Sequence, residues 1–271
     1  MDTSRQFRRR GICLFNKSVL ALVGLAATAV VALFLLEPIH QDPDYHQFAD
    51  HRTILGLPNF WNVVSNAPFL LVALWGLRAL ANHAAFSERW ERHAYIILLA
   101  GLALVAFGSG YYHFSPSDAT LFWDRLPMTI VFMALLSITL GERLNLRTGR
   151  LLLAPLLVLG VASLLYWKAT GDLRLYILVQ FYPMLALPLM LAWLPARYTG
   201  AGGIWAMISF YVLAKALESA DSPIWQAAAP LSGHPWKHVA GAAAMLCYVQ
   251  TMRHRQNARK RFQPNSLTGA I

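Results

Sequence analysis

Three histidines at the ends of apolar segments are the side chains best suited to chemistry. His234 and His238 are four residues apart, so they share one helical face if His234 lies in a first turn. His113 closes another apolar segment, where Ser109 faces the same way, and Asp124 follows after a short loop. Three imidazoles, a carboxylate and a hydroxyl at one level of a helix bundle are the components of a zinc hydrolase.

Each of these signals also has a plainer structural interpretation. A His-x-x-x-His pair at a membrane interface is more often two solvated or headgroup-facing histidines. Ser109 and His113 would also suit the polar end of an interfacial aromatic belt, because two tyrosines lie between them. Asp124 could cap the next helix, since Pro127 would fit a first turn. Only the predicted common level of these groups favours the zinc site.

Other polar residues in the apolar segments are expected to be structural. One set would bond neighbouring helices: Asn62, Ser65 and Asn66. A second set, spaced by three, is expected to form an internal ion pair: Lys215, Glu218 and Asp221. The remaining histidines are expected to be solvated: His40, His46, His51, His83, His93 and His254.

The composition indicates a membrane protein, whose transmembrane helices would hold these groups in place. Of the 271 residues 57% are hydrophobic and 13% charged, and the mean hydropathy is +0.44. Soluble domains average about 25% charged residues. Apolar runs long enough to cross a hydrocarbon core of ~30 Å recur along the chain, and backbone in lipid must bond within its own segment, so we expect an all-α, polytopic helix bundle. The expected spans are 18–36, 60–80, 93–113, 121–141, 150–168, 173–194, 204–218 and 235–252.

These spans divide the chain into five parts. A basic cytoplasmic arm (1–17) precedes an N-terminal transmembrane helix (18–36), which we interpret as a retained signal anchor because no small-x-small cleavage site follows it. An outer loop (37–59) leads into a seven-helix core (60–252), and a basic cytoplasmic tail (253–271) ends the chain.

The net charge of +10 is interpreted as a topology signal. With both termini in the cytoplasm, that side carries 17 of the 23 Lys and Arg residues and 4 of the 13 acids. The histidine site then lies towards the outer face of what we expect to be a bacterial inner membrane. Nucleic-acid binding is therefore not indicated. A disulfide framework is not indicated either, since the only cysteines are Cys13 and Cys247. The sequence also contains no nucleotide-binding loop and no hydrolase serine elbow.

At these residues the sequence resembles the alkaline ceramidase family. Its superfamily of seven-helix membrane hydrolases also includes adiponectin-receptor type proteins and lipid-remodelling enzymes of the GPI pathway. The resemblance extends from about residue 59 to 252 and suggests a bacterial relative. It is carried by Phe60-Trp61-Asn62 with Ser65-Asn66, Ser109 with His113, Trp123-Asp124-Arg125-Leu126-Pro127-Met128, and His234 with His238.

The resemblance implies a zinc ion held by His113, His234 and His238. It further implies that Asp124 handles the proton of the attacking water and that Ser109 supports the site or stabilises an oxyanion. Two features depart from the family: the added N-terminal helix, and Asn59 where the ceramidases have a glutamate after an acidic calcium-binding segment. The nearest acids here are Asp44 and Asp50, at shorter spacing. The second departure weakens the case for calcium and for strict ceramide specificity.

The function expected from the sequence is zinc-dependent hydrolysis of the amide bond of a ceramide-like membrane lipid. Two alternatives stay open. The same site could cleave an acyl ester, as in lipid remodelling, or the zinc could be structural in a non-catalytic, receptor-like protein. The sequence does not determine the oligomeric state.

Overall fold

The computed structural model of the protein describes residues 3–82, 86–227 and 230–258. Within these ranges the chain is a bundle of α-helices, and the predicted tail beyond residue 258 and His83 lie outside them. The helices are α1 (Thr3–Leu35), α2 (Phe60–Val64), α3 (Ala67–Asn82), α4 (Arg89–Phe114), α5 (Asp118–Arg143), α6 (Leu146–Thr170), α7 (Arg174–Trp193), α8 (Ala201–Ser219), α9 (Asp221–Gln226) and α10 (Gly233–His254). The all-α membrane bundle predicted from the sequence is confirmed.

Most predicted spans coincide with a helix to within about one turn, and three details differ. Helix α1 starts at Thr3 and so continues through the predicted arm. The span predicted at 60–80 is two helices, and α5 starts at Asp118, before the predicted residue 121. Five described spans are long and apolar enough to cross a membrane: 60–81, 89–114, 118–143, 146–170 and 174–193.

The break between α2 and α3 follows from Pro68. Proline has no N–H, so the helical hydrogen bond to the carbonyl four residues earlier is lost. The side-chain amide of Asn66 lies in this break and donates to the carbonyl of Asn62 at 2.8 Å. The predicted inter-helix role of Asn66 is thus replaced by a local one, which turns the chain between the two helices.

The two ends of the helix bundle carry different polar residues. At one end, Arg255 pairs with Glu142 and lies 3.8 Å from Glu91. All three lie outside the predicted spans, in segments that the expected orientation assigns to the cytoplasm. His113 and Asp124 lie towards the opposite end of the bundle. Between the ends, exposed Leu71 and apolar neighbours on the outside of the helices present a surface suited to lipid.

Candidate functional site

The imidazoles of His113, His234 and His238 meet inside one end of the bundle. Each offers one ring nitrogen, and these nitrogens all lie within 4.8 Å of one another. All three side chains are buried, with exposed fractions of 1, 5 and 4%. The structure therefore brings together the three predicted ligands from α4 and α10. These helices are far apart in the chain, so the histidines meet only because the helices pack together.

The start of α10 places two of these histidines. The helix begins at Gly233, so His234 lies in its first turn and shares a face with His238, as the spacing predicted. A Cβ at Gly233 would lie 2.1 Å from the carbonyl oxygen of Leu217, so only glycine permits this approach to α8. The backbone N–H of His234 also donates to Asp221 Oδ1 at 2.7 Å, which fixes the entry of the helix.

The nitrogens are available to a metal. Nδ1 of His113 and Nε2 of His234 are buried without a hydrogen-bond partner among the described residues. Nδ1 of His238 lies 2.8 Å from the hydroxyl of Ser65, which leaves its Nε2 as the second nitrogen of the ring. Buried imidazole nitrogens left without partners are costly, and three neutral imidazoles are a usual zinc ligand set. The donor set fits the metal that the sequence predicted.

Ser65 is a residue whose role the sequence did not reveal. It was expected to bond neighbouring helices, and it does contact α10, but through a predicted metal ligand. A metal-ligating histidine commonly bonds a second group through its other nitrogen, which sets the orientation of the ring. The spacing between Ser65 and His238 is too long for any local sequence pattern to indicate this pairing.

The predicted outer loop covers the histidines. The ring of Phe48 lies 4.7 Å from that of His113 and 4.8 Å from that of His234, between ring centroids. Phe48 is itself buried. The loop is tied down nearby, because the backbone N–H of Ala49 donates to Asp221 Oδ2 at 2.9 Å. Phe48 thus covers the histidines as an aromatic lid, which no pattern in the sequence indicates.

A close approach of α4 to α5 brings Ser109 beside Asp124. Gly108 faces the backbone of α5, and a Cβ there would lie 2.2 Å from the carbonyl oxygen of Trp123. That carbonyl lacks its helical N–H partner because Pro127 lies four residues later. Glycine and proline together therefore let the two helices approach at the level of the site.

The capping interpretation of Asp124 is wrong. Helix α5 begins at Asp118, and its N-cap is Ser117, whose hydroxyl accepts a hydrogen bond from the N–H of Thr120 at 3.3 Å. Asp124 thus lies in the second turn, and Pro127 is inside the helix and not in its first turn. The half-buried carboxylate is left free of a capping role.

A cavity of about 180 Å³ adjoins Ser109, Asp124 and one of the three histidines. Its polar wall includes Ser109, Asp124 and His238, whereas its apolar wall is lined further along the same helices by Leu102, Val131, Leu135 and Met245. Between Asp124 and Leu135 the helix rises about 16 Å at 1.5 Å per residue. The cavity therefore runs from the polar level of the histidines into the apolar middle of the bundle.

The polar wall also carries an ion cluster. Glu218 pairs with Lys215, as predicted, and with Lys237 at 2.7 Å. The hydroxyl of Tyr45 donates to the same carboxylate at 3.3 Å. Asp221, the third residue of the predicted set, lies outside α8 on α9 and accepts backbone N–H groups instead.

The other predicted histidines divide into two groups. Four are exposed as expected: His40, His51, His93 and His254. His46 is half-buried, and its ring nitrogens lie 3.0 Å from the hydroxyl of Tyr112 and 3.1 Å from Asp118 Oδ1. This pair of bonds anchors the covering loop to α4 and α5.

Two acids near the covering loop are held by arginines. Asp50 binds Arg52 at 2.6 Å, and these bonds raise the pKa of Arg52 above its usual value. Hydrogen bonds from Arg174 lower the pKa of Asp172 to about 2. Asp50, one of the two acids nearest to Asn59, is therefore already paired with a cation in this structure.

Comparison with known proteins identifies the family of the chain. A search of curated proteins finds no match. A family model described as Ceramidase matches residues 56–267, which is well over half of the chain and includes all three histidines, Ser109 and Asp124. The resemblance inferred from the sequence is confirmed: the chain belongs to the ceramidase family.

Proposed function

We propose that the protein is a zinc-dependent membrane hydrolase that cleaves the amide bond of ceramide-like lipids. The observation that carries the proposal is the convergence of three histidine nitrogens beside a cavity whose lining joins His238, Asp124 and Ser109 to a long apolar wall. A lipid amide is likewise divided into a polar part and an apolar part, since its polar linkage joins long hydrocarbon chains. The apolar wall would hold a chain and the polar wall would face the linkage.

His113, His234 and His238 would hold the zinc ion. When bound, zinc would polarise a carbonyl oxygen and acidify water. The group of mutually close ligand residues contains these three histidines and not Asp124. Catalytic zinc sites have three protein ligands and an open position, whereas structural sites use four, so the ligand number supports catalysis.

Asp124 would transfer protons. Its carboxylate lines the cavity outside the ligand group, so it can accept a proton from the attacking water and deliver it to the leaving amine. Ser109 lies beside it and lines the same wall. The serine hydroxyl would donate a hydrogen bond to the oxyanion, an effect worth roughly 3–4 kcal/mol in other hydrolases.

Metal analysis of the purified protein, combined with hydrolysis of matched amide and ester lipids, tests the proposal. We expect about one zinc per chain and release of fatty acid from the amide. Asp124→Asn and His234→Ala should each abolish turnover while thermal unfolding still shows a folded protein. Glu37→Gln, which neutralises an exposed carboxylate away from the histidines, should keep full activity.

Three outcomes would contradict parts of the proposal. Turnover that survives either substitution would remove that residue from the mechanism. Faster cleavage of the ester would favour lipid remodelling. One zinc per chain without fatty-acid release would favour a structural metal in a non-catalytic protein.

We further propose that both termini face the cytoplasm and that the site opens towards the outer leaflet of a bacterial inner membrane. The distribution of Lys and Arg supports this orientation. Cysteine accessibility at exposed Asp118 and at Arg92, near the opposite end of α4, tests it in intact cells. Only a cysteine at position 118 should react with a membrane-impermeant reagent.

A further inference from the structure

Arg125, the residue after Asp124, is a buried cation that the proposed hydrolysis does not use. It lines the cavity, and only 6% of it is exposed. Its Nη2 donates to Oε1 of Gln41 at 2.7 Å, but its Nη1 is buried without a hydrogen-bond partner. Among the described residues, no carboxylate forms an ion pair with this guanidinium.

Aromatic rings surround the guanidinium but do not neutralise it. Its Cζ lies 4.7 Å from the ring centroids of both Trp167 and Tyr176, and 5.6 Å from that of Tyr45. Such contacts attract a cation and hold its plane in place. A desolvated charge without a counter-ion is nevertheless unfavourable, so the site is organised for an anion that the chain itself does not supply.

The charges that line the cavity also favour the binding of an anion. The lining includes two carboxylates, those of Asp124 and Glu218, against three cations. Glu218 is already shared by Lys215 and Lys237. One positive charge is therefore in excess before any metal binds, and Arg125 is the cation without a carboxylate partner.

The position of Arg125 indicates which part of a substrate it faces. Gln41 and Tyr45, which contact it, belong to the segment that covers the histidines. The apolar lining residues, such as Leu135 and Met245, lie in the opposite direction along α5 and α10. A lipid whose hydrocarbon chain occupies the apolar end would thus place its headgroup beside Arg125.

We infer that Arg125 binds an anionic group, a phosphate or a carboxylate, in the headgroup of an N-acyl lipid substrate. The inference rests on the proposed function, because it assumes that the lipid amide reacts at the histidine site. Guanidinium groups bind such anions through two parallel hydrogen bonds. The enzyme would then prefer anionic N-acyl lipids to neutral ceramide.

Hydrolysis of ceramide 1-phosphate and ceramide with identical chains tests the inference. We expect kcat/KM for the phosphorylated lipid to be at least about tenfold higher, and Arg125→Gln to remove that advantage while changing ceramide hydrolysis less than about threefold. Arg125→Lys should retain part of the preference. Lys168→Gln, which removes an exposed cation at the same end of the bundle, should leave both rates unchanged. Equal rates in the native protein, or an equal loss for both lipids in Arg125→Gln, would overturn the inference and assign Arg125 a structural role.

A binding measurement separates this inference from the proposed function. If neither lipid is cleaved, the proposed function fails. The unfolding temperature, measured with sphingosine 1-phosphate or with sphingosine, then tests whether the anion site exists. Sphingosine 1-phosphate should stabilise the native protein more than sphingosine, which has the same amine and chain but no phosphate, and Arg125→Gln should abolish the difference. No difference would refute the site. Stabilisation by laurate over lauryl alcohol that depends on Arg125, without a phosphate effect, would identify the anion as a fatty-acid carboxylate and overturn the headgroup assignment.

Discussion

Replacing Gly108 by alanine should disable the site without altering any of its side chains. The new Cβ would lie 2.2 Å from the carbonyl oxygen of Trp123, whereas ordinary contacts begin at 3.4 Å. Helices α4 and α5 would therefore have to separate locally by about 1 Å. The contact is with backbone, so no side-chain rotation can relieve it. Displacement by 1 Å in a catalytic constellation can reduce the rate about 100-fold.

The assay is kcat/KM for lipid amide hydrolysis, measured together with thermal unfolding. We expect a fall of about 100-fold in Gly108→Ala, with destabilisation of about 1–3 kcal/mol from overpacking. Gly110→Ala is the matched control, because a Cβ there meets nothing within 4 Å. Both substitutions raise helix propensity by roughly 0.5–1 kcal/mol, so the control should be at least as stable as the native protein and fully active.

Two results would refute this reasoning. Native activity in Gly108→Ala would mean that the spacing of Ser109 and Asp124 does not depend on the approach of the two helices. Equal impairment in Gly110→Ala would mean that α4 requires glycine for flexibility. A loss of activity in Gly108→Ala alone, in a folded protein, is the outcome that the structure predicts.

Three further predictions concern the surroundings of the site. Ser65→Ala should weaken zinc binding about 10- to 100-fold, because the ring of His238 loses the partner that orients it; competition with a chelator measures this, and unchanged affinity would contradict it. Phe48→Ala should uncover the histidines, so that chelators remove zinc faster and the protein unfolds at lower temperature; an unchanged rate of zinc loss would show that the loop is no lid. The depressed pKa of Asp172 stabilises the fold above its unfolded value of about 3.9, and this contribution is lost as the pH falls towards 2. Asp172→Asn should therefore be less stable than the native protein at pH 6 and approach it near pH 2, and parallel melting curves over that range would disprove the role of the pair with Arg174.

Local sequence signals predicted which three histidines meet, because this prediction depends only on helical spacing and on the direction of the spans. The four-residue spacing of His234 and His238 determines a shared helical face once the helix starts at Gly233. His113 could be added because alternating spans bring the end of α4 to the level of the start of α10. Periodicity and chain direction are sufficient for both steps.

The same signals failed where a residue's role depends on a distant partner. The alternative role of Asp124 as a helix cap rested on Pro127, which suits a first turn, but Ser117 starts α5 earlier. Ser65 looked like a helix contact, and only the packed bundle shows that it bonds His238. Proline and serine each occur in several local environments, so the local sequence alone does not indicate which of these environments a given residue occupies.

The sequence by itself determined that this is an all-α membrane bundle with a histidine site at one end, because burial of long apolar segments and helical periodicity are local properties. Only the tertiary structure decided how the site is enclosed and charged. Phe48 covers the histidines, Gly108 sets the distance between α4 and α5, and Arg125 lies in the cavity without an acidic partner. These contacts join residues far apart in the chain, and their energies depend on distances that no local pattern encodes.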